Sequence, residues 1–402
     1  MGERSHQRTD TRLLVGAVGV SALGDFLLWI PLTLHLQEAT GSGLAVAALM
    51  ICLWLPIVVL APVAGLIVDR TDARLVLIVA SLAQAVVAAS LALVLDSEAA
   101  ILALAGVLGV GFALAQPAEF ALVPVVAGER DLTKVNGYVE TARYAGMTAG
   151  PVVGGALAAA GGTEVAMIVN AATFGLLALA AMMLRVRRPP AIAGDGPDRA
   201  RDGVVFLFRD RTLALVMGAV FTSLLFFSAS ITAEVFFLKE DLDVGDVVYG
   251  LLFSGWTIGM VLGALVVSRR IAQRALATAA IVAVGVQGIG LGLPTAWLAV
   301  GFCGAMWFVG GVGHGTKNVL ARTLIQERVP DRLHGRAFAA YNGMRNGAEL
   351  FALAGGGVLV AAIGARSTLA LAGVVPLAVA LAVLALHLRA SASRAADSPA
   401  RA

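Results

Sequence analysis

The segment "NGYVETARYAGMTAGPVVGG", residues 136–155, decides what kind of molecule this is. It places five glycines, one proline and the opposite charges of Glu140 and Arg143 inside a helix-length stretch, while its flanks are mostly Ala, Val, Leu and Ile. Gly146, Gly150 and Gly154 recur every four residues, so they share one helix face with Arg143. A face without side chains lets another helix approach backbone to backbone, the small-xxx-small packing of membrane bundles. Pro151 removes a backbone donor and is expected to bend the helix.

The surrounding chain agrees with a membrane setting. Its mean hydropathy is +0.88, and 59% of its residues are hydrophobic against 14% charged; soluble domains have about 45–50% apolar residues. The charges cluster between apolar runs long enough to cross the roughly 30 Å hydrocarbon core. Such runs exclude a membrane barrel, which would show short alternating segments. We place twelve spans near 13–36, 44–68, 75–95, 99–123, 135–160, 164–184, 213–237, 247–268, 275–293, 296–320, 337–362 and 367–388. The charged start, "MGERSHQRTDTR", precedes an apolar run too long for a signal peptide and reads as a retained first span.

Charge asymmetry tests that layout. Of the 29 Lys and Arg, 24 fall in the two termini and in alternate loops near 69–74, 124–134, 185–212, 269–274 and 321–336. Only Lys239 and Arg366 fall in the opposite set. The positive-inside rule therefore puts both termini in the cytoplasm of a multi-pass cell-membrane protein. The long connection at 185–212 carries Pro-Pro, Gly and mixed charge. It divides the chain into a cytoplasmic N-terminus (1–12), a first six-helix bundle (13–184), the loop, a second six-helix bundle (213–388) and a cytoplasmic tail (389–402). The halves echo one another at an offset of about 200 residues, as "ERDLTKVNGY" (129–138) and "VPDRLHGRAF" (329–338) illustrate. Internal repeats with a midplane site are the usual plan of secondary transporters.

Here the motifs resemble a known family. The spacing of Gly137, Gly146, Gly150, Pro151, Gly154 and Gly155 is similar to the antiporter signature (motif C) of the fifth helix in the major facilitator superfamily. "GLIVDRTDAR" (65–74) resembles the superfamily's motif A through Gly65, Asp69, Arg70 and Arg74. Asp72 stands there where many members have Gly, and Ala73 replaces a basic residue. The Arg of motif B is absent from "ILALAGVLGVGFALAQPA" (101–118). The stretches 24–50, 116–138 and 329–339 are similar to the macrolide-efflux and enterobactin-exporter branch. The resemblance implies an all-α polytopic fold of two pseudo-symmetric six-helix bundles and an exporter working by antiport.

Ionisable residues inside spans are costly and are functional candidates by default. Asp25, Glu119, Glu140 and Glu349 are the candidates for proton coupling. Arg143, His314, Lys317, Asn342, Arg345 and Asn346 are the candidates for substrate contact or gating. Asn342, Arg345, Asn346 and Glu349 form an i, i+3, i+4, i+7 stripe, and Glu140–Arg143 and Arg345–Glu349 are spaced to neutralise one another. Asp25 and Glu119 have no base nearby in sequence, which suits reversible proton loading.

The chain carries no hydrolytic constellation, and "GGVGHGTKN" (310–318) fails as a phosphate loop because Thr316 stands where a Gly is needed. Cys52 and Cys303 lie far apart in apolar runs and build no disulfide framework or metal site. These features predict a transporter rather than an enzyme, with no cofactor, metal or nucleic-acid partner. Its partners are the lipid bilayer, protons and an amphipathic small molecule, and it is expected to work as a monomer. A lipid or lysophospholipid flippase, or a sensor on the same fold, is the alternative.

Overall fold

Prolines and glycines decide where these helices bend and how closely they pack. The computed structural model describes residues 2–40, 43–128, 132–188, 202–244 and 246–396. Among them every regular element is helical. The first half comprises α1 (Gly2–Thr40), α2 (Gly43–Val59), α3 (Ala61–Arg70), α4 (Ala73–Leu91), α5 (Glu98–Ala127) and α6 (Leu132–Met183). A short helix, α7 (Asp202–Arg209), precedes α8 (Arg211–Phe236), α9 (Asp246–Leu262), α10 (Leu276–Gly292), α11 (Val300–Arg328), α12 (His334–Ile363) and α13 (Ala365–Ala396). Residues 189–201 of the 185–212 connection lie outside the described residues.

Eight of the described helices are long and apolar enough to cross a membrane, ten if each of two bent pairs is one span. The two remaining sequence-predicted spans, 135–160 and 296–320, fall in α6 and α11. Their glycines and polar residues, Glu140, Arg143, His314 and Lys317 among them, dilute the apolar character that marks the other ten. One bent pair is α2 with α3, which turn by 54°. Pro62 is the cause: it sits in the first turn of α3, cannot donate to the preceding turn and crowds its carbonyl. In α6 the break comes at Gly162, whose φ of 80° is open to glycine and strained for other residues. It separates the fifth span from the sixth. The side chain of Pro151 lies outside the described residues.

The glycine face of α6 packs against α1. A Cβ on Gly146 would lie 2.5 Å from the Leu23 backbone nitrogen, and one on Gly150 would lie 2.6 Å from the Phe26 Cβ. Gly154 approaches Leu27 in the same way, whereas Gly155 faces open space. The periodicity thus translates into backbone contact along about two turns of α1, the helix that carries Asp25.

Two compact units make up the chain. The first is Met1–Phe206 with Ile325–Leu350, and the second is Leu207–Leu324 with Phe351–Ala402. The first half of α12 therefore belongs with the first unit. It is held there by a tilted ring pair between Phe120 and Phe338, 5.2 Å apart, while Gln326 at the end of α11 donates to the Phe120 carbonyl. Within the second unit, α8, α10 and α13 pack together, with Gly288 and Gly292 of α10 admitting Gly373 of α13. Along α11, Gly311 and Gly315 admit the backbone of α9 at Trp256 and Met260.

Overpacking a tight helix contact costs about 1–3 kcal/mol. We expect Gly146→Val to lower the thermal unfolding midpoint of the detergent-solubilised protein markedly and Gly155→Ala to leave it unchanged. Equal midpoints for the two variants would refute the α1–α6 contact.

Candidate functional site

The close approach of α6 to α1 builds a polar pocket inside the first unit. Its lining includes Ser21 and Asp25 from α1, Gln84 from α4, Gln116 and Glu119 from α5, and Arg143 from α6. The cavity measures about 10 Å³, close to the ~10–15 Å³ that one water requires. Arg143 forms an ion pair with Glu119 and lies 5.0 Å from the centre of the Phe120 ring, in cation–π geometry. The sequence pairs Arg143 with Glu140 one turn away, but the structure turns it across to α5, where a carboxylate and an aromatic face converge. Glu119 therefore has a base after all, supplied by another helix. Asp25 Oδ1 is buried with no hydrogen-bond partner among the described residues. Glu140 is buried on α6 as well.

A second cluster surrounds Asp69, which is 1% exposed. Its Oδ1 accepts from the Gly335 amide at 2.7 Å and from Arg188 Nη2 at 3.3 Å. Its Oδ2 accepts from the Arg336 amide at 3.1 Å and from Arg336 Nε at 3.0 Å. Gly335 and Arg336 lie in the first turn of α12, where free amides and the helix dipole favour an anion. Gly65 makes the approach possible, since a Cβ there would collide with the Gly335 carbonyl at 2.8 Å. Arg336 also reaches Asp202 at 3.4 Å. Arg188 donates to the carbonyl of Asp331.

The other polar residues of this loop have capping tasks. Asp72 caps α4 by accepting from the Arg74 amide at 2.9 Å. Arg74 Nε donates to the Ala181 carbonyl at 2.8 Å, satisfying an orphan acceptor at the end of α6. Arg70 is exposed.

The stripe on α12 also lies in the first unit. Arg345 pairs with Glu349 at 3.2 Å, and Asn346 donates to the Asn342 carbonyl at 2.8 Å. Gly137, the first glycine of the antiporter-like spacing, is buried and accepts from Thr141. His314 and Lys317 are in the second unit. His314 packs against Phe227 and edge-on to Trp256, with ring centres 4.9 and 5.9 Å away. Lys317 is fully buried and donates to Gln287 Oε1 at 2.7 Å and to Ser223 Oγ at 3.1 Å.

The sequence and the fold match a known group. The sequence profile described as Major Facilitator Superfamily matches residues 14–348 and 215–402. The chain belongs to the major facilitator superfamily. A relative from Bacillus subtilis (strain 168), described as an uncharacterized MFS-type transporter, is 24% identical over 374 residues, covering 87% of each chain. Among solved structures, a bacterial homologue of the iron transporter ferroportin in an outward-facing state aligns with a TM-score of 0.77 at 18% identity, covering 96% of this chain and 99% of that one. The human organic anion transporter MFSD10 aligns at 0.74 with 14% identity, covering 94% and 99%. The fucose:proton symporter of E. coli aligns at 0.69 with 14% identity, covering 95% and 99%. At these identities the solved structures establish the fold, and the superfamily makes the protein a multi-pass membrane transporter.

Residue-by-residue sequence reasoning passed over several members of these clusters. Arg188 and Arg336 read as ordinary positive-inside charges. Gln84, Gln287 and Ser223 are neutral and raised no alarm inside their spans. A search for any amide side chain in the middle of an apolar run would have found both glutamines.

Removing one partner of a buried ion pair typically costs about 3–5 kcal/mol. Asp69→Ala should therefore cost stability on that scale and abolish slow hydrogen exchange at the Gly335 and Arg336 amides. Unchanged protection of those amides would contradict the cluster.

Proposed function

We propose that this transporter is a proton-coupled exporter of amphipathic small molecules, such as drugs, macrolides or siderophores, working by rocker-switch alternating access in the cell membrane with both termini cytoplasmic. The observation that carries the reading is the enclosed pocket in which Asp25, Glu119 and Arg143 meet. A proton arriving on Glu119 would neutralise it and release Arg143, so proton occupancy and the ion pair exclude one another. That exclusion is what coupling requires, because a ligand shifts a two-state equilibrium only by its different affinity for the two states. An inward proton gains about 2.3 kcal/mol per 100 mV of membrane potential. The antiporter-like spacing from Gly137 to Gly155 supports the export direction. The motif A cluster at Asp69 supports a gate on the cytoplasmic face that opens as its charged contacts break. The fucose:proton symporter shares the fold, so proton coupling is compatible with this scaffold.

The test uses proteoliposomes with an internal pH dye and an imposed proton gradient, challenged in turn with a macrolide, a lipophilic cation and a catecholate siderophore. We expect at least one compound to dissipate the gradient through the wild-type protein. Asp25→Asn should reduce that proton flux at least tenfold while leaving the protein folded. A fully active Asp25→Asn variant would remove Asp25 from the coupling. Movement of lysophospholipid without any proton flux would replace the reading with a flippase.

A further inference from the structure

The pocket of the first unit contains a side chain that the exporter reading does not yet use. Gln84 is 1% exposed on α4, and neither its Nε2 nor its Oε1 has a hydrogen-bond partner among the described residues. A buried amide left so costs about 1–3 kcal/mol. Gly111 of α5 makes room for it, since a Cβ at that position would overlap the Gln84 side chain. Four orphaned polar atoms, these two, Asp25 Oδ1 and Arg143 Nε, thus belong to residues lining one cavity of about a water's size. A polar cavity with two to four partners is where a protein holds a structural water.

The second unit shows what this position does when its partner is part of the chain. Asp25, Gln84 and Glu119 lie on α1, α4 and α5, and about 200 residues later Ser223, Gln287 and Lys317 lie on α8, α10 and α11. There the amide oxygen of Gln287 accepts from the Lys317 ammonium at 2.7 Å, with Ser223 completing the group. Glu119 stands where the repeat has Lys317, and an ionised carboxylate has no proton to offer the amide. Arg143, the cation of this pocket, gives the amide no hydrogen bond, so the donor's place is open to a small guest.

We propose that Gln84 holds a single water against Asp25 and that this water carries the proton between Asp25 and Glu119. This rests on the proton-coupled reading above. The water donates to Gln84 Oε1 and to Glu119 and accepts from the protonated Asp25. In the transfer Asp25 gives its proton to the water as the water gives one of its own to Glu119. The water is regenerated, Asp25 ends as a carboxylate and Glu119 as a carboxylic acid. The charge of the pocket does not change, but Arg143 loses its partner. The charged groups that line the cavity with Asp25 are Glu119 from α5 and Arg143 from α6, while α4 contributes only the neutral Gln84. Gln84 is a positioning residue in this scheme.

The experiment needs no transported substrate. The infrared carboxyl bands of the purified full-length protein are followed through a pH titration, and Asp25→Asn identifies the Asp25 band. Gln84→Met, nearly the same size but unable to hold water, should change the frequency of that band. Gln84→Asn should behave nearly as wild type. If Gln84→Met does not fold, the wild-type protein in H2(18)O supplies the same answer. A bound-water stretch that shifts with the isotope and vanishes in Asp25→Asn supports the proposal, and its absence overturns it. An Asp25 band indifferent to Gln84→Met sinks the water while leaving proton coupling standing. No titrating Asp25 band in the wild type would instead bring down the proton-coupled reading itself.

Discussion

Two carboxylates and a guanidinium sharing one pocket in a membrane bundle impose the constraint that the rest of the first unit obeys. A charge at the centre of a bilayer costs about 2.5–3.5 kcal/mol even on the mildest scale, so Glu119 and Arg143 must find each other across helices. They can do so because α6 lies against α1 along a face of glycines, in contact with the Leu23 and Leu27 backbone and the Phe26 Cβ. The fifth-helix glycines and the buried charges are thus two parts of one design. Any side chain on that face would push α6 outward and take Arg143 from its partner. The ion pair is not simply a stabilising feature, since buried pairs often break even against apolar packing. In the proposed mechanism its value lies in being breakable by one proton.

The same physics operates around Asp69 with different materials. Asp69 is held by two backbone amides of the first turn of α12 and by two arginines, Arg188 and Arg336, which come from distant parts of the sequence. A carboxylate at a helix N-terminus flanked by guanidiniums is stable while the helix start stays in place and becomes a buried, uncompensated charge if it leaves. These contacts fix the first half of α12 in place. They also explain why Ile325–Leu350 groups with the first unit although most of the helices on either side do not.

Much of this was legible in the sequence where the signal is periodic or local. The four-residue recurrence of Gly146, Gly150 and Gly154 identifies a packing face without any knowledge of the partner. The capping role of Asp72, by contrast, emerges only with the backbone around it, and so does the use of Arg74 to close the end of α6. Helical spacing suggested Glu140 for Arg143, yet the side chain goes to Glu119, because tertiary crossing places an aromatic ring and a carboxylate on the other side. Arg345 and Glu349, with no such competition, do pair one turn apart. Gln84 and Gln287 were invisible for another reason. They carry no charge, so only the depth of their burial and the atoms around them reveal that they matter.

The central claim, that Glu119 and Arg143 are held in the bundle as a mutually dependent pair, is tested most directly by a double-mutant cycle on unfolding in detergent. Each single neutralisation, Glu119→Gln or Arg143→Gln, should cost about 3–5 kcal/mol by stranding a buried charge. The double variant should recover most of that loss, giving a coupling free energy well above 1 kcal/mol. Losses that simply add would mean that the two residues do not depend on one another, and the account would fail.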